Sequence, residues 1–268
     1  MRIFTRAHYH AERRVIPSEA KESRVNDSRA SSDVQTGEIP RRLGMTSEDS
    51  LAQVTADIVN CFKCPRLVAW REQVGREKRA AYRDWDYWAR PVPGFGDPRA
   101  RLLVLGLAPA AHGGNRTGRV FTGDRSGDWL FGALYRTGFA NQPTSEHRDD
   151  GLALTDAYIS ACVRCAPPDN KPLPVERVTC LPYLKRELDQ LPNLKVVVCL
   201  GAYALEGLAL VYGARPRPRF GHALEHTLPD GNRVLCSFHP SQQNTFTGKL
   251  TVPMFDAIFA RARQLITT

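Results

Sequence analysis

Two kinds of residue in this chain of 268 carry reactive groups at spacings that matter. They are a set of thiols, and a carboxylate and an imidazole on separate polar loops. Cys61-Phe-Lys-Cys64 is a C-x2-C pair. Cys165 and Cys180 follow with 14 residues between them, and a proline-rich turn, Cys165-Ala-Pro-Pro-Asp-Asn-Lys-Pro, trails the first. Four thiolates ligate either a cubane iron–sulfur cluster or a tetrahedral zinc ion, and ligand type alone does not separate the two. The competing reading is four small buried hydrophobes, a common state for free cysteine. Cys162, Cys199 and Cys236 sit inside strand-like runs and fit that reading. Seven cysteines, an odd count, without an apolar leader argue against a disulfide framework.

Asp124 closes a polar, glycine-rich run that begins at Gly106, and His239 opens another that ends at Gly248. A carboxylate flanked by glycine can approach a ligand closely. The same Asp before Arg125-Ser-Gly-Asp-Trp also looks like a helix N-cap. A histidine at a strand end either donates to a ligand or is satisfied by backbone.

The elements that must position these groups are legible from periodicity. Thr46 and Asp49 have capping-box spacing ahead of a helix through Leu51, Val54 and Ile58. From residue 100 the pattern alternates: strand 101–107, helix 129–137, strand 157–163, helix 174–191, strand 195–200, helix 202–212. Pro182 is expected to kink or restart the fourth of these. Residues 222–228 and 233–239 read as an antiparallel pair about Pro229-Asp-Gly-Asn, and 252–266 as a closing helix. The alternation implies an α/β sandwich on a mainly parallel sheet, whose ligands bind beyond the carboxyl ends of the strands. Both polar loops fall there. Residues 1–44 are polar, mixed in charge and aperiodic, and read as a disordered N-terminal arm. Residues 45–268 read as one folded domain.

The formal charge is +9 and hydrophobic residues make up 42 %, ordinary for a globular fold. The first 50 residues carry only about +1 of that charge, so the surplus belongs to the folded part. A basic body suits a polyanion such as nucleic acid. No apolar run approaches the ~18 residues of a membrane span, and the opening MRIFTRAHYHAERR lacks a secretory core. No membrane association and a cytoplasmic location are therefore expected.

Three segments taken together resemble the type-5 uracil-DNA glycosylases. They are Gly106-Leu-Ala-Pro-Ala-Ala-His-Gly-Gly-Asn-Arg-Thr-Gly-Arg-Val-Phe-Thr-Gly-Asp124, the Cys165-Ala-Pro-Pro-Asp-Asn170 run with Cys180 behind it, and His239-Pro-Ser-Gln-Gln-Asn-Thr-Phe-Thr-Gly248. The resemblance covers about residues 50–266. It implies a three-layer α/β/α sandwich with a mainly parallel four-stranded central sheet. It also implies a DNA-repair enzyme, a monomer acting at the nucleoid, that hydrolyses the N-glycosidic bond of uracil and leaves an abasic site. Cys61, Cys64, Cys165 and Cys180 match the ligands of a [4Fe–4S] cluster, which favours iron over zinc. Other branches of the superfamily place a polar or acidic residue where Leu107 stands, so the water-positioning role passes to Asp124. His239 takes the part of electrophile toward the base, and Asn170 an accessory catalytic part. Phe121 is the stacking face for the extruded base, with Gly106 and Ala108 beside it. Arg116, Arg119, Ser241, Gln242, Gln243 and Asn244 are the candidate DNA contacts. Ala161 occupies the place of the superfamily's base-reading Asn, which implies looser discrimination and acceptance of hypoxanthine or xanthine.

Two other functions fit parts of the sequence. A DNA-binding iron–sulfur module without glycosylase activity would share the basic surface and the cysteines, but has no need of Asp124 or His239. A metal-dependent phosphoesterase requires His and Asp grouped at ligand spacing; His112, His222, His226 and His239 show no such grouping.

Overall fold

In the computed structural model, residues 49–267 are described. The arm expected over 1–44 and Thr46 of the expected cap lie outside them. Four five-residue strands form the centre of one sheet: β2 (Leu102–Gly106), β3 (Ala157–Ala161), β4 (Val196–Leu200) and β6 (Arg233–Ser237). They run parallel in the order β3-β2-β4-β6, with Leu102 beside both Ala157 and Val196, and Val196 beside Arg233. LLVLG and VVVCL are buried at every position, the pattern of strands covered on both faces. The sheet has six strands rather than the expected four. Short edges β1 (Phe95–Gly96) and β5 (Glu225–Thr227) pair antiparallel to β3 and β6.

Side chains alternate between two cores. Val104, Ile159, Val198 and Leu235 meet α4 (Arg125–Arg136) and α8 (Val252–Thr267) on one face. Leu103, Leu105, Val197 and Cys199 meet α5 (Pro174–Asp189) and α6 (Ala202–Val211) on the other. This is the three-layer sandwich, and it buries Cys162, Cys199 and Cys236 as apolar groups.

Several boundaries differ from expectation for identifiable reasons. The first helix, α1 (Leu51–Val59), is capped by Ser50, whose Oγ accepts from Gln53 N at 3.2 Å. Asp49 instead pairs with Arg186 of α5. Helix α5 continues through Pro182. The carbonyl that loses its donor belongs to Val178, a 62 % exposed residue, so water can satisfy it. Ala223 adopts φ 62°, which ends β5 short of its expected start at 222. Helix α2 (Pro65–Glu77) follows Cys64 directly, with proline at its first position. Short helices α3 (Gly114–Thr117) and α7 (Gln242–Phe246) lie inside the two polar loops. No helix among the described residues is long and apolar enough to cross a membrane.

Candidate active site and cysteine centre

A cleft of about 720 Å³ opens beyond the carboxyl ends of the strands. Its walls include Leu107, Ala108, His112, Gly113, Phe121, Asp124, Asn170, His239, Gln242 and Gln243. The carboxylate from the first polar loop and the imidazole from the last thus face one space.

Asp124 is both things its sequence context allowed. It is the N-cap of α4, with Oδ1 accepting from Gly127 N at 3.0 Å. Its Oδ2 lies against Gly113, where a Cβ would collide with the carboxylate. Burial raises the Asp124 carboxyl above the ordinary carboxylate range, partly offset by the amides of Gly127 and Ser126. The half-buried side chain faces the cleft in surroundings that disfavour its ionised form.

His239 follows the end of β6. Asn244 fixes its backbone, donating from Nδ2 to the His239 carbonyl at 2.9 Å. Burial lowers the imidazole to about 4, so it is neutral at pH 7 and acts as a hydrogen-bond donor or acceptor rather than a cation. Its ring lies 5.9 Å from that of Phe121, tilted by 31°. Phe121 is held at φ 54°. The first turn of α4 packs on its carbonyl because Gly127 has no side chain there. Gly106 lies beneath the Phe121 ring, whose Cζ would be 2.7 Å from a Cβ at that position. It supports the stacking face from below, whereas Ala108 lines the cleft itself. Asn170, at φ 57°, is exposed at the cleft edge.

The six candidate DNA contacts separate. Gln242 and Gln243 are exposed on the rim. Ser241 lines it too, but its Oγ caps α7 by accepting from Asn244 N. Asn244 positions His239, as above. The two arginines are a correction, since neither guanidinium reaches the surface. Arg116 is sandwiched between Tyr82 and Trp85, 3.9 and 4.0 Å from their ring centroids, and donates to the carbonyls of His112 and Gly123. Arg119 is 6 % exposed. It donates to Thr122 Oγ1, Ser145 Oγ and the Asp150 carboxylate at 2.7–2.9 Å. A buried guanidinium requires such a complement of acceptors, and these two brace the loop instead of contacting phosphate.

Sequence reasoning passed over three residues at this site. His112 lines the cleft, with its Nδ1 3.1 Å from the Tyr87 phenol oxygen, Oη. Arg125 sits at the mouth and stacks on Phe246 at 4.2 Å. Phe246 is 66 % exposed, a large apolar group in an otherwise polar loop, and that contrast was the available signal.

Cys61, Cys64, Cys165 and Cys180 line a single second cavity, with Lys63, Leu67, Arg164 and Tyr183. Burial pushes the Cys165 thiol up to about 11 and the Cys180 thiol up to about 12, and raises Cys64. A cationic centre would offset that penalty on the thiolates. Donors already point at the sulfurs: Arg71 Nη1 to Cys165 Sγ at 3.2 Å, and Arg164 N to Cys180 Sγ at 3.3 Å. Arg71 is buried and its Nε has no partner. Among the described residues no three His, Cys, Asp or Glu converge tightly enough for one metal ion. The four thiols share the lining of this one small cavity.

A family model described as the uracil DNA glycosylase superfamily matches residues 93–263. The type-5 uracil-DNA glycosylase of Mycobacterium tuberculosis is 52 % identical over 219 residues, 81 % of this chain and 82 % of that protein. That of Thermus thermophilus is 51 % identical over 206 residues, 76 % of this chain and 93 % of that protein. That of Pyrobaculum aerophilum is 46 % identical over 205 residues, 76 % and 88 % of the two chains. With this likeness over most of its length, and with the sheet and cleft described above, the chain belongs to the uracil-DNA glycosylase superfamily, in its type-5 branch.

Proposed function

We propose that this protein hydrolyses the N-glycosidic bond of uracil in DNA, leaving an abasic site. The observation that carries the reading is the convergence of Asp124 and His239 on one cleft floored by Phe121. The cleft volume falls within the ~300–1,000 Å³ usual for small-molecule pockets, ample for a nucleobase swung out of the stack.

The base enters over Phe121, which offers its ring face. The neutral imidazole of His239 donates to a base carbonyl, where negative charge gathers as the bond breaks. The Asp124 carboxylate faces the sugar, which becomes cation-like; it stabilises that charge and orients the attacking water. Asn170 at the edge steadies the base or the water. Ala161 presents no hydrogen-bonding group to read the base edge, which supports acceptance of hypoxanthine or xanthine alongside uracil.

Cys61, Cys64, Cys165 and Cys180 would hold a [4Fe–4S] cluster. When bound it would supply a covalent cross-link between the start of α2, the 165 turn and α5. Arg71 and the Arg164 amide would donate to its sulfur shell. The protein acts as a monomer in the cytoplasm, on the nucleoid.

The test is strand scission by alkali after incubation with oligonucleotides bearing uracil, hypoxanthine or xanthine, together with iron analysis of anaerobically purified protein. Cleavage at uracil and about four irons per chain, with broad absorbance near ~400 nm, are expected. Intact uracil oligonucleotide at saturating enzyme refutes the glycosylase. Colourless protein with stoichiometric zinc refutes the cluster.

A further inference from the structure

The buried stripe of α2 consists of Leu67, Arg71 and Val74, residues at helical spacing with a cation in the middle. An apolar side chain is the ordinary occupant of such a place. Arg71 is 1 % exposed. The Phe62 ring, from inside the Cys61–Cys64 turn, lies 5.0 Å from its guanidinium carbon and is itself exposed. Nη1 donates to the Cys61 carbonyl and to the Cys165 sulfur, both at 3.2 Å, and Nε has no acceptor. Among the described residues, the one carboxylate within 4.0 Å is that of Glu72, the next residue, and at 4.0 Å it is too far to accept a hydrogen bond.

The other charges around the cysteine cavity are matched in pairs. Arg164 lies bidentate on Glu187 at 2.6 and 3.1 Å, and Arg66 bidentate on Glu176 at 2.8 Å. Arg177 pairs with Glu206 at 2.9 Å. A guanidinium taken out of water needs an anion, and these carboxylates are already engaged. The group in hydrogen-bond reach of Arg71 that can become anionic is the Cys165 thiol, one of the four that line the cavity.

We propose that Arg71 is the buried counter-ion of the four-cysteine centre. Its charge offsets the net negative charge that four thiolates leave on a [4Fe–4S] group, and so governs how well that group is retained and at what potential it is reduced. The inference rests on the cluster reading for the identity of the group, and it assigns the charge of Arg71 rather than its hydrogen bond.

The experiment uses full-length protein purified anaerobically. Iron is counted first, and the midpoint potential is then read by spectroelectrochemistry in the visible range. Net charge at a cluster and donors to its sulfurs set that potential. R71M keeps a long flexible side chain and removes the charge. At a fixed potential its ratio of reduced to oxidised cluster should fall at least about tenfold, roughly 59 mV for one electron. R71K keeps the charge and should stay within about threefold of wild type. K63M removes an exposed cation from the same cavity wall. Water already weakens that charge, so K63M should stay within about threefold as well. R71M within about twofold of wild type overturns the counter-ion. So does R71K shifted as far as R71M, since the cause would then be packing, and so does K63M shifted as far, since the cause would then be net charge. If R71M emerges without iron, R71K decides: loaded R71K supports the role of the charge, and empty R71K overturns it. Wild type without iron refutes the cluster reading and the counter-ion with it, whereas loaded wild type beside an unresponsive R71M refutes the counter-ion alone.

Discussion

Asp124 holds two roles that substitution can pull apart. As N-cap it accepts from Gly127 N through Oδ1; as the acid of the cleft it presents charge to the sugar. Asn caps helices as well as Asp, whereas Ala in its place costs about 1 kcal/mol. The D124N variant should therefore keep the helix end. It should also gain some stability at neutral pH, because folding raises the Asp124 carboxyl and so disfavours the ionised form. The sign follows from linkage: a carboxyl raised on folding contributes stability at low pH and loses it as pH climbs through the raised value. The chemical step behaves in the opposite way. A carboxylate about 4 Å from the sugar cation, at an effective dielectric near 20, contributes about 4 kcal/mol, close to 10³ in rate. Losing single aimed groups elsewhere costs about 10²–10³. D124N should then release uracil about 10²–10³-fold more slowly in single turnover, with an unchanged or higher melting temperature. D124A should be as slow, with its melting temperature set by the lost cap against the relieved burial of charge. If D124N releases uracil within about fivefold of wild type, Asp124 is a helix cap only, and the water-positioning role fails.

His239 titrates near 4 when folded against 6.5 ordinarily. It thus contributes stability that is complete above about pH 6.5 and lost as pH falls toward 4, at most about 3 kcal/mol. Thermal melts of H239N across pH 4–7 should be flatter than wild type, and uracil release should show no limb near pH 6.5 that H239N abolishes; such a limb would mean the imidazole is charged in the cleft. R119M leaves the buried Asp150 carboxylate without its cation. It should cost about 3–5 kcal/mol in urea denaturation while leaving the salt dependence of DNA binding unchanged; a reduced salt slope would return Arg119 to the phosphate contacts. F246A removes the exposed ring at the cleft mouth and should slow uracil release from duplex about tenfold, with little effect on single strands; equal slowing on both would exclude a role in filling the vacated stack.

The central strands were readable because burial on both faces leaves an uninterrupted apolar run, as in Leu102–Leu105 and Val196–Leu200. Edge β1 was not, since two residues set no period. Arginine was the least readable residue type. Nothing local distinguishes Arg119, whose acceptors come from Ser145 and Asp150, from the exposed Arg217, whose side chain meets no acceptor among the described residues; the difference lies in partners supplied from far along the chain. Glycines in the first polar loop suggest freedom for close approach to a ligand. Their neighbours give them a different meaning. Side chains at Gly106 and Gly113 would strike the Phe121 ring and the Asp124 carboxylate respectively. Both glycines are thus gaps into which the stacking face and the acid are fitted, and what the motif encodes is tight packing. An alanine at either position would move a reacting surface, so an aspartate and an imidazole on loops far apart in sequence can hold a fixed separation.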